Sequence, residues 1–282
     1  MTAVGVAYLR ALETTRADRL FADPLAAEFV AASGWSPPDG TEQDLNDTSD
    51  DVRAFWGTVA ATAIVRTRFL DEFCITAAGA GVRQFVILGA GLDARAFRLA
   101  WPPGVRLFEL DVQDMIAFKE RVVRSIAARP GCERIVVASD LSGDWFSDLS
   151  RAGFDASIPT AWIAEGLLIY LTAEQNDALI TTISGASPRG SRLALTLGGP
   201  SSLDVPGAGD GYVDEEAPLG SFASVNAMWK SVPPDDPAAW LAEHGWEAEV
   251  FSARERADAY GRPLPEAAPA SAARSLVTAV RA

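Results

Sequence analysis

A chain of 282 residues with 49% hydrophobic and 22% charged side chains can bury a large core, and it exceeds one average domain while staying within reach of a single α/β domain that carries an insertion. Its formal net charge of −14, from 24 Lys and Arg against 38 Asp and Glu, argues against nucleic acid as a partner, because a phosphate backbone requires a clustered basic face. The two cysteines, Cys74 and Cys132, lack metal-ligand or redox spacing, and the N-terminal stretch shows neither a leader-peptide pattern nor an apolar run long enough to span a bilayer, so reduced thiols, no metal, no membrane partner and a cytoplasmic location are expected.

In chain order, residues 1–33 read as helical, with Val4, Leu9, Leu12, Leu25, Phe29 and Val30 at helical spacings. The break falls at FADP, where Asp23 can cap a helix begun by Pro24. Residues 34–50 are polar and turn-rich, hence a loop. A long helix follows over 51–78, with Val52, Phe55, Val59, Ala63, Arg66, Phe69, Leu70 and Phe73 as its inner stripe. Arg66 falls in line with that stripe, whereas Arg68 fits a solvated basic face.

The stretch QFVILGAGLDARAFRL, residues 84–99, organises the rest. Phe85, Val86, Ile87 and Leu88 form an apolar run without polar alternation, as a strand covered on both faces requires. Gly89 and Gly91 then permit a sharp turn and close approach to a ligand, and Ala94 stands where a dinucleotide fingerprint carries its third glycine. The turn alone leaves nicotinamide cofactors and S-adenosylmethionine both open. A helix over 90–98 and a strand over 105–110 lead to Glu109 and Asp111, either of which could serve ribose hydroxyls.

Next come a helix over 112–128, a strand over 134–138 followed by Asp140 and Leu141, a helix over 143–150, and a strand over 160–165 that ends at Glu165. Thr172 opens a helix with acid and amide in its first turn, and 191–197 is a fifth strand. Residues 198–236, rich in glycine and proline, form an inserted lid in which Tyr212, Phe222, Met228 and Trp229 are candidates for a substrate pocket. A helix over 237–244, a strand over 246–251 and a final strand over 275–281 close the chain.

This alternation predicts a mostly parallel doubly wound sheet with right-handed crossovers and a ligand at the carboxyl ends of its strands, where Gly89, Glu109, Asp111, Asp140 and Glu165 converge. Two parts are expected, an N-terminal helical cap over 1–80 and a nucleoside-binding core over 81–282.

The segments RTRFLDEF, ILGAGLDARAFRL, FELDVQDMIAFK, SDL and AEGLLIYL, in this order, resemble the leucine carboxyl methyltransferase family of class I S-adenosylmethionine-dependent methyltransferases. The pattern is similar to the actinobacterial branch that includes polyketide O-methyltransferases of the tetracenomycin type. The resemblance covers roughly residues 1–197, with a weaker echo at LAEHGWE. It implies a Rossmann-like fold, S-adenosylmethionine as cofactor and S-adenosylhomocysteine as product. By it, Arg66 holds the methionine carboxylate, with Arg68 second. Gly89 and Gly91 form the cofactor turn, Asp111 grips the ribose, Asp140 and Leu141 meet the adenine, and Glu165 lies beside the methionine end. It also implies a basic residue before the Asp-Pro turn, for which Arg16 is the nearest candidate.

Methyl transfer is an in-line displacement in which positioning and exclusion of water do most of the work. A carboxylic acid, with a pKa near ~4, is ionised at neutral pH, whereas a phenol near ~10 gains from a general base. The sole histidine, His244, precedes Gly245 at the end of a helix and reads as a C-terminal cap, so no catalytic base is assigned. A small-molecule carboxyl O-methyltransferase is the first expectation and a hydroxyl O-methyltransferase with an acidic base the second. A non-catalytic cofactor-binding protein is the third, and a nicotinamide oxidoreductase the last, since no hydride-transfer dyad is recognisable.

Overall fold

The computed structural model describes residues 2–35, 50–197, 230, 231, 234–264 and 276–282. Most of the inserted lid, including Tyr212, Phe222, Met228 and Trp229, lies outside the described residues, as does most of the loop over 34–50. Among the described residues no helix is long and apolar enough to cross a membrane.

Among the described residues seven strands form one sheet in the order β3-β2-β1-β4-β5-β7-β6. They are β1 (Gln84–Leu88), β2 (Arg106–Asp111), β3 (Glu133–Ala138), β4 (Thr160–Ala164), β5 (Arg192–Thr196), β6 (Trp246–Phe251) and β7 (Leu276–Arg281). The pairs among β1 to β5 are parallel, and β7 runs antiparallel between β5 and β6. This is the expected Rossmann-like α/β architecture.

Every residue of β1 is buried: its four apolar side chains serve two cores, and Gln84 donates to the Asp155 carbonyl and the Thr160 hydroxyl at 2.8 Å. Val86 and Leu88 join Phe108, Trp162 and Leu193 on one face; Phe85 and Ile87 join Leu107, Ile163 and Ala194 on the other. The first face is covered by α6 (Trp145–Arg151), α7 (Ala173–Gly185) and α8 (Pro237–Glu243). The second is covered by α3 (Asp50–Gly79), the one-turn α4 (Arg95–Arg98) and α9 (Ala253–Ala259). A third cluster joins α1 (Thr2–Thr15), α2 (Ala26–Ser33) and α5 (Gln113–Ser125) to Leu92 and Ala94 of the turn after β1.

Four details differ from the sequence reading. The helix over 90–98 shrinks to Arg95–Arg98, because Gly91 at φ +46° interrupts it and the Asp93 carboxylate caps the Arg95 amide at 2.6 Å. Asp23 accepts from the Leu25 and Ala26 amides, but α2 begins at Ala26 rather than Pro24, so Leu25 and not Asp23 is its N-cap residue. Val59 is exposed, so the inner stripe of α3 starts later, at Ala63, among the side chains described. The helix α9 was not foreseen, although Ser252 and Glu255 form its capping box.

Candidate functional site

The chain runs β1, β2, β3 outward on one side and then returns to place β4 on the other side of β1, leaving a crevice at the carboxyl ends of β1 and β4. Two left-handed glycines face each other across it, Gly89 at φ +60° and Gly166 at φ +60°. A Cβ on Gly89 would lie 3.0 Å from Leu167 Cδ1, the movable end of a side chain, so it is the left-handed φ more than the space that favours glycine at position 89.

Asp111, the last residue of β2, accepts from the Gly91 amide at 2.6 Å and from the Val112 amide at 2.8 Å. It ties the turn after β1 to the edge of β2 and, half-exposed, keeps lone pairs on both oxygens for a ligand. Glu109 is not a site residue in this geometry. It lies two residues below the strand edge, 2% exposed, and neutralises Lys119 and Arg134 at 2.7 Å each.

Past β3, Asp140 is exposed, and its Oδ1 accepts from the Ser142 amide and hydroxyl, which holds its pKa below the usual carboxylate range. The second carboxylate oxygen has no partner among the described residues. Leu141 follows it, partly buried against the first core. Val112, 47% exposed beside Asp111, supplies an apolar surface that the sequence reading missed.

Glu165, just past β4, accepts from Arg66 Nε at 3.1 Å and from Arg95 at 2.8 Å. Burial works to raise its pKa, and the guanidinium groups of Arg95 and Arg66 overrule it, so the carboxyl stays ionised below its ordinary range. The terminal nitrogens of Arg66 lie about the Gly166 backbone, 3.5 and 3.6 Å from where a Cβ there would sit, and make no hydrogen bond among the described residues. Arg68, two residues on and therefore on another face of α3, is turned away: it bonds Glu72 at 2.9 Å and the Leu20 carbonyl at 2.9 Å, beside the Tyr260 ring.

Behind this pair lies a buried ion network. Arg95, 1% exposed, meets Asp71 at 2.9 Å and Asp93 as well as Glu165, and Arg98 holds Asp71 through two bonds of 2.6 Å. Burial would lower the Arg95 pKa, but Asp93, Glu165 and Asp71 together keep it well above its ordinary value.

The basic residue of the N-terminal helices that reaches the turn is Arg10, not Arg16. Arg10 is buried, bonds Asp23 at 2.8 Å and donates to the Leu92 carbonyl at 2.7 Å, whereas Arg16 is exposed and pairs with Asp18. Ala3, on the same helix, lies 3.6 Å from where a Cβ on Gly91 would be, so α1 covers the turn.

The site thus offers a guanidinium held by Glu165 whose terminal nitrogens make no hydrogen bond among the described residues, a glycine turn, an acid at the end of β2 and an acid with an apolar neighbour past β3. This arrangement suits a ligand with a carboxylate at one end and a nucleoside at the other. Residues 3–184 match the model of the leucine carboxyl methyltransferase family, well over half the chain. The chain belongs to that family.

A Streptomyces coelicolor protein named "Putative S-adenosyl-L-methionine-dependent methyltransferase" is 51% identical over 266 residues, covering 93% of this chain and 88% of the relative. A Streptomyces avermitilis protein with the same description is 49% identical over the same shares. Among solved structures, a DUF574 family protein from Streptomyces avermitilis aligns at TM-score 0.59 with 16% identity, over 98% of this chain and 97% of that one. A protein from Thermobifida fusca titled a putative methyltransferase aligns at TM-score 0.53 with 17% identity, over 98% and 94%. At such identities the two structures speak for the fold alone.

Proposed function

We propose that this member of the family, a methyltransferase that uses S-adenosylmethionine, forms a methyl ester on a carboxylate of a small molecule such as a polyketide or other secondary metabolite. When bound, the cofactor supplies an electrophilic methyl group on a sulfonium. The chain's residues fit it: Arg66 would hold the methionine carboxylate, the Gly89 and Gly91 backbone would approach it closely, Asp111 would accept from the ribose hydroxyls, and Asp140 with Leu141 would meet the adenine. Glu165 would orient Arg66 beside the methionine end. Residues 1–80 would serve as a helical cap over the core of 81–282, with 198–236 as a lid that contributes Tyr212 and Trp229 to the acceptor pocket. The protein would act in the cytoplasm.

The observation that carries the ester reading is the placement of His244. It caps the C-terminus of α8 with Nδ1 3.0 Å from the Trp240 carbonyl and Nε2 3.5 Å from Asp177, a structural position. A carboxylate acceptor, ionised at neutral pH, needs only to be oriented and dried, so a site without histidine suffices for it.

The test is transfer of radiolabelled methyl from the cofactor to a panel of small carboxylic acids and phenols. Label released by mild base marks an ester, and base-stable label on a phenol would overturn the reading in favour of a hydroxyl acceptor. In the same assay, His244→Ala is expected to leave kcat nearly unchanged; loss of a general base would instead cost ~10²–10⁴-fold.

A further inference from the structure

The loop after β3 is tied down around one carboxylate. The Ser139 amide donates to the Asp111 carbonyl at 2.9 Å, and the Ser139 hydroxyl donates to Asp148 Oδ2 at 2.6 Å. The first bond joins the loop to the edge of β2 and the second joins it to α6, so Asp140 starts one residue from a point held on two sides. Gly143 closes the turn, its amide donating to the Asp140 carbonyl at 2.9 Å.

Within this turn Ser142 takes a single oxygen of the Asp140 side chain. Its amide donates to Oδ1 at 2.8 Å and its hydroxyl donates to the same oxygen at 2.7 Å. An exposed aspartate without such partners would rotate and offer either oxygen. With Oδ1 engaged twice, Oδ2 is the oxygen left for a ligand.

Lys230, whose amide is fixed to the Ile169 carbonyl at 2.7 Å beyond β4, bears electrostatically on Asp140 without pairing with it among the described residues. A cation on the β4 side and this carboxylate on the β3 side therefore act on each other across the crevice. Val112, 47% exposed after Asp111, and Leu141, next to Asp140, add apolar surface at the same edge. An ionised carboxylate only accepts hydrogen bonds. A flat ring bearing an amino group donates to it, whereas the same ring with a carbonyl in that place sets oxygen against oxygen and leaves the carboxylate unsatisfied.

We infer that Ser142 is a positioning residue: it holds Asp140 so that Oδ2 reads the 6-amino group of the cofactor's purine and disfavours a 6-oxo purine. This rests on the proposed placement of the adenine at Asp140 and assigns the discrimination to a serine that has no contact with the ligand of its own.

The test compares S-adenosylhomocysteine with S-inosylhomocysteine, which differ only in a 6-amino against a 6-oxo group and the N1 proton that goes with it, each titrated into the full chain by calorimetry at pH 7. The wild type is expected to prefer the adenosine compound by about thirtyfold, the size of one hydrogen bond to a charged acceptor. Ser142→Ala should cut that preference to about fivefold by weakening S-adenosylhomocysteine alone, and Ser142→Thr, which keeps the hydroxyl, should retain it. Asp140→Ala should remove most of the preference, and adding Ser142→Ala to it should change nothing more, because the serine acts through that carboxylate. Equal affinities in the wild type overturn the inference, as does a Ser142→Ala effect that is the same for both compounds or that persists without Asp140. If Asp140→Ala removes the preference while Ser142→Ala leaves it whole, the inference fails and the adenine placement stands. If Asp140→Ala changes neither affinity nor preference, the adenine placement falls and takes the inference with it.

Discussion

Replacing Asp111 with alanine is expected to weaken S-adenosylhomocysteine binding by about a hundredfold or more, measured by calorimetry. The carboxylate does two things in the structure. It bridges the amides of Gly91 and Val112, and it presents its remaining lone pairs to the crevice. Hydrogen bonds to a charged acceptor contribute about 1.5–3 kcal/mol each, so losing the two proposed ribose contacts would already exceed a hundredfold, and a loosened glycine turn adds to it. Asp111→Asn keeps one acceptor oxygen for Gly91 and should fall between wild type and alanine. In thermal unfolding, ligand at about a hundred times its Kd stabilises wild type by ~2.7 kcal/mol, and the alanine variant at the same concentration should lose most of that gain. Unchanged affinity would remove the ribose contact from the end of β2.

That Asp111 ends β2 was legible because a strand edge is written in local sequence: an apolar run, a charged residue, then a helix start. The same logic misplaced Glu109, since residues 109 and 111 share a face of β2 and differ only in depth. What decides between them is the Lys119 and Arg134 pair beneath, contributed by α5 and β3. Thr172 and its capping box were readable for the same local reason. The equivalent signal at Ser252 and Glu255 was present and overlooked. Arg66 stood out from Arg68 by falling in line with the apolar stripe of α3, and the structure adds the partners: Glu165 for Arg66, Glu72 and the Leu20 carbonyl for Arg68. Arg10 was hidden: its partners are an Asp 13 residues on and a carbonyl 82 residues on.

The buried network at Arg95 is the part of the site with the greatest leverage on stability, and sequence could not show it, since Asp71, Asp93 and Glu165 come from α3, the β1 turn and the end of β4. Arg95→Met is expected to destabilise the protein by about 3–5 kcal/mol, because removing one partner strands charge that burial has already desolvated. For a chain of this size that is a fall in Tm of about 10 °C. Asp71 keeps Arg98 and Glu165 keeps Arg66, so Asp93 bears most of the loss. Burial pushes the Asp93 pKa upward, and in the wild type Arg95 and its neighbouring cations overcome this and hold it at about 2. A folded pKa below the unfolded value near ~3.9 contributes stability that is complete above pH ~4 and lost as pH falls toward about 2. Without Arg95 burial should prevail and lift the folded pKa above the unfolded one, so the sign reverses: the variant is expected to gain stability as pH falls from 7 toward 5 while the wild type does not. Chemical denaturation at pH 7 and pH 5 reads this directly as a gap between the two proteins that narrows at the lower pH. Asp93→Asn placed on Arg95→Met removes the stranded charge and should recover part of the loss. A gap that is constant with pH would mean that Arg95 acts through packing alone. Because Arg95 also holds Glu165, which in turn holds Arg66, the folded variant should bind S-adenosylhomocysteine about tenfold more weakly if Arg66 holds the methionine carboxylate as proposed.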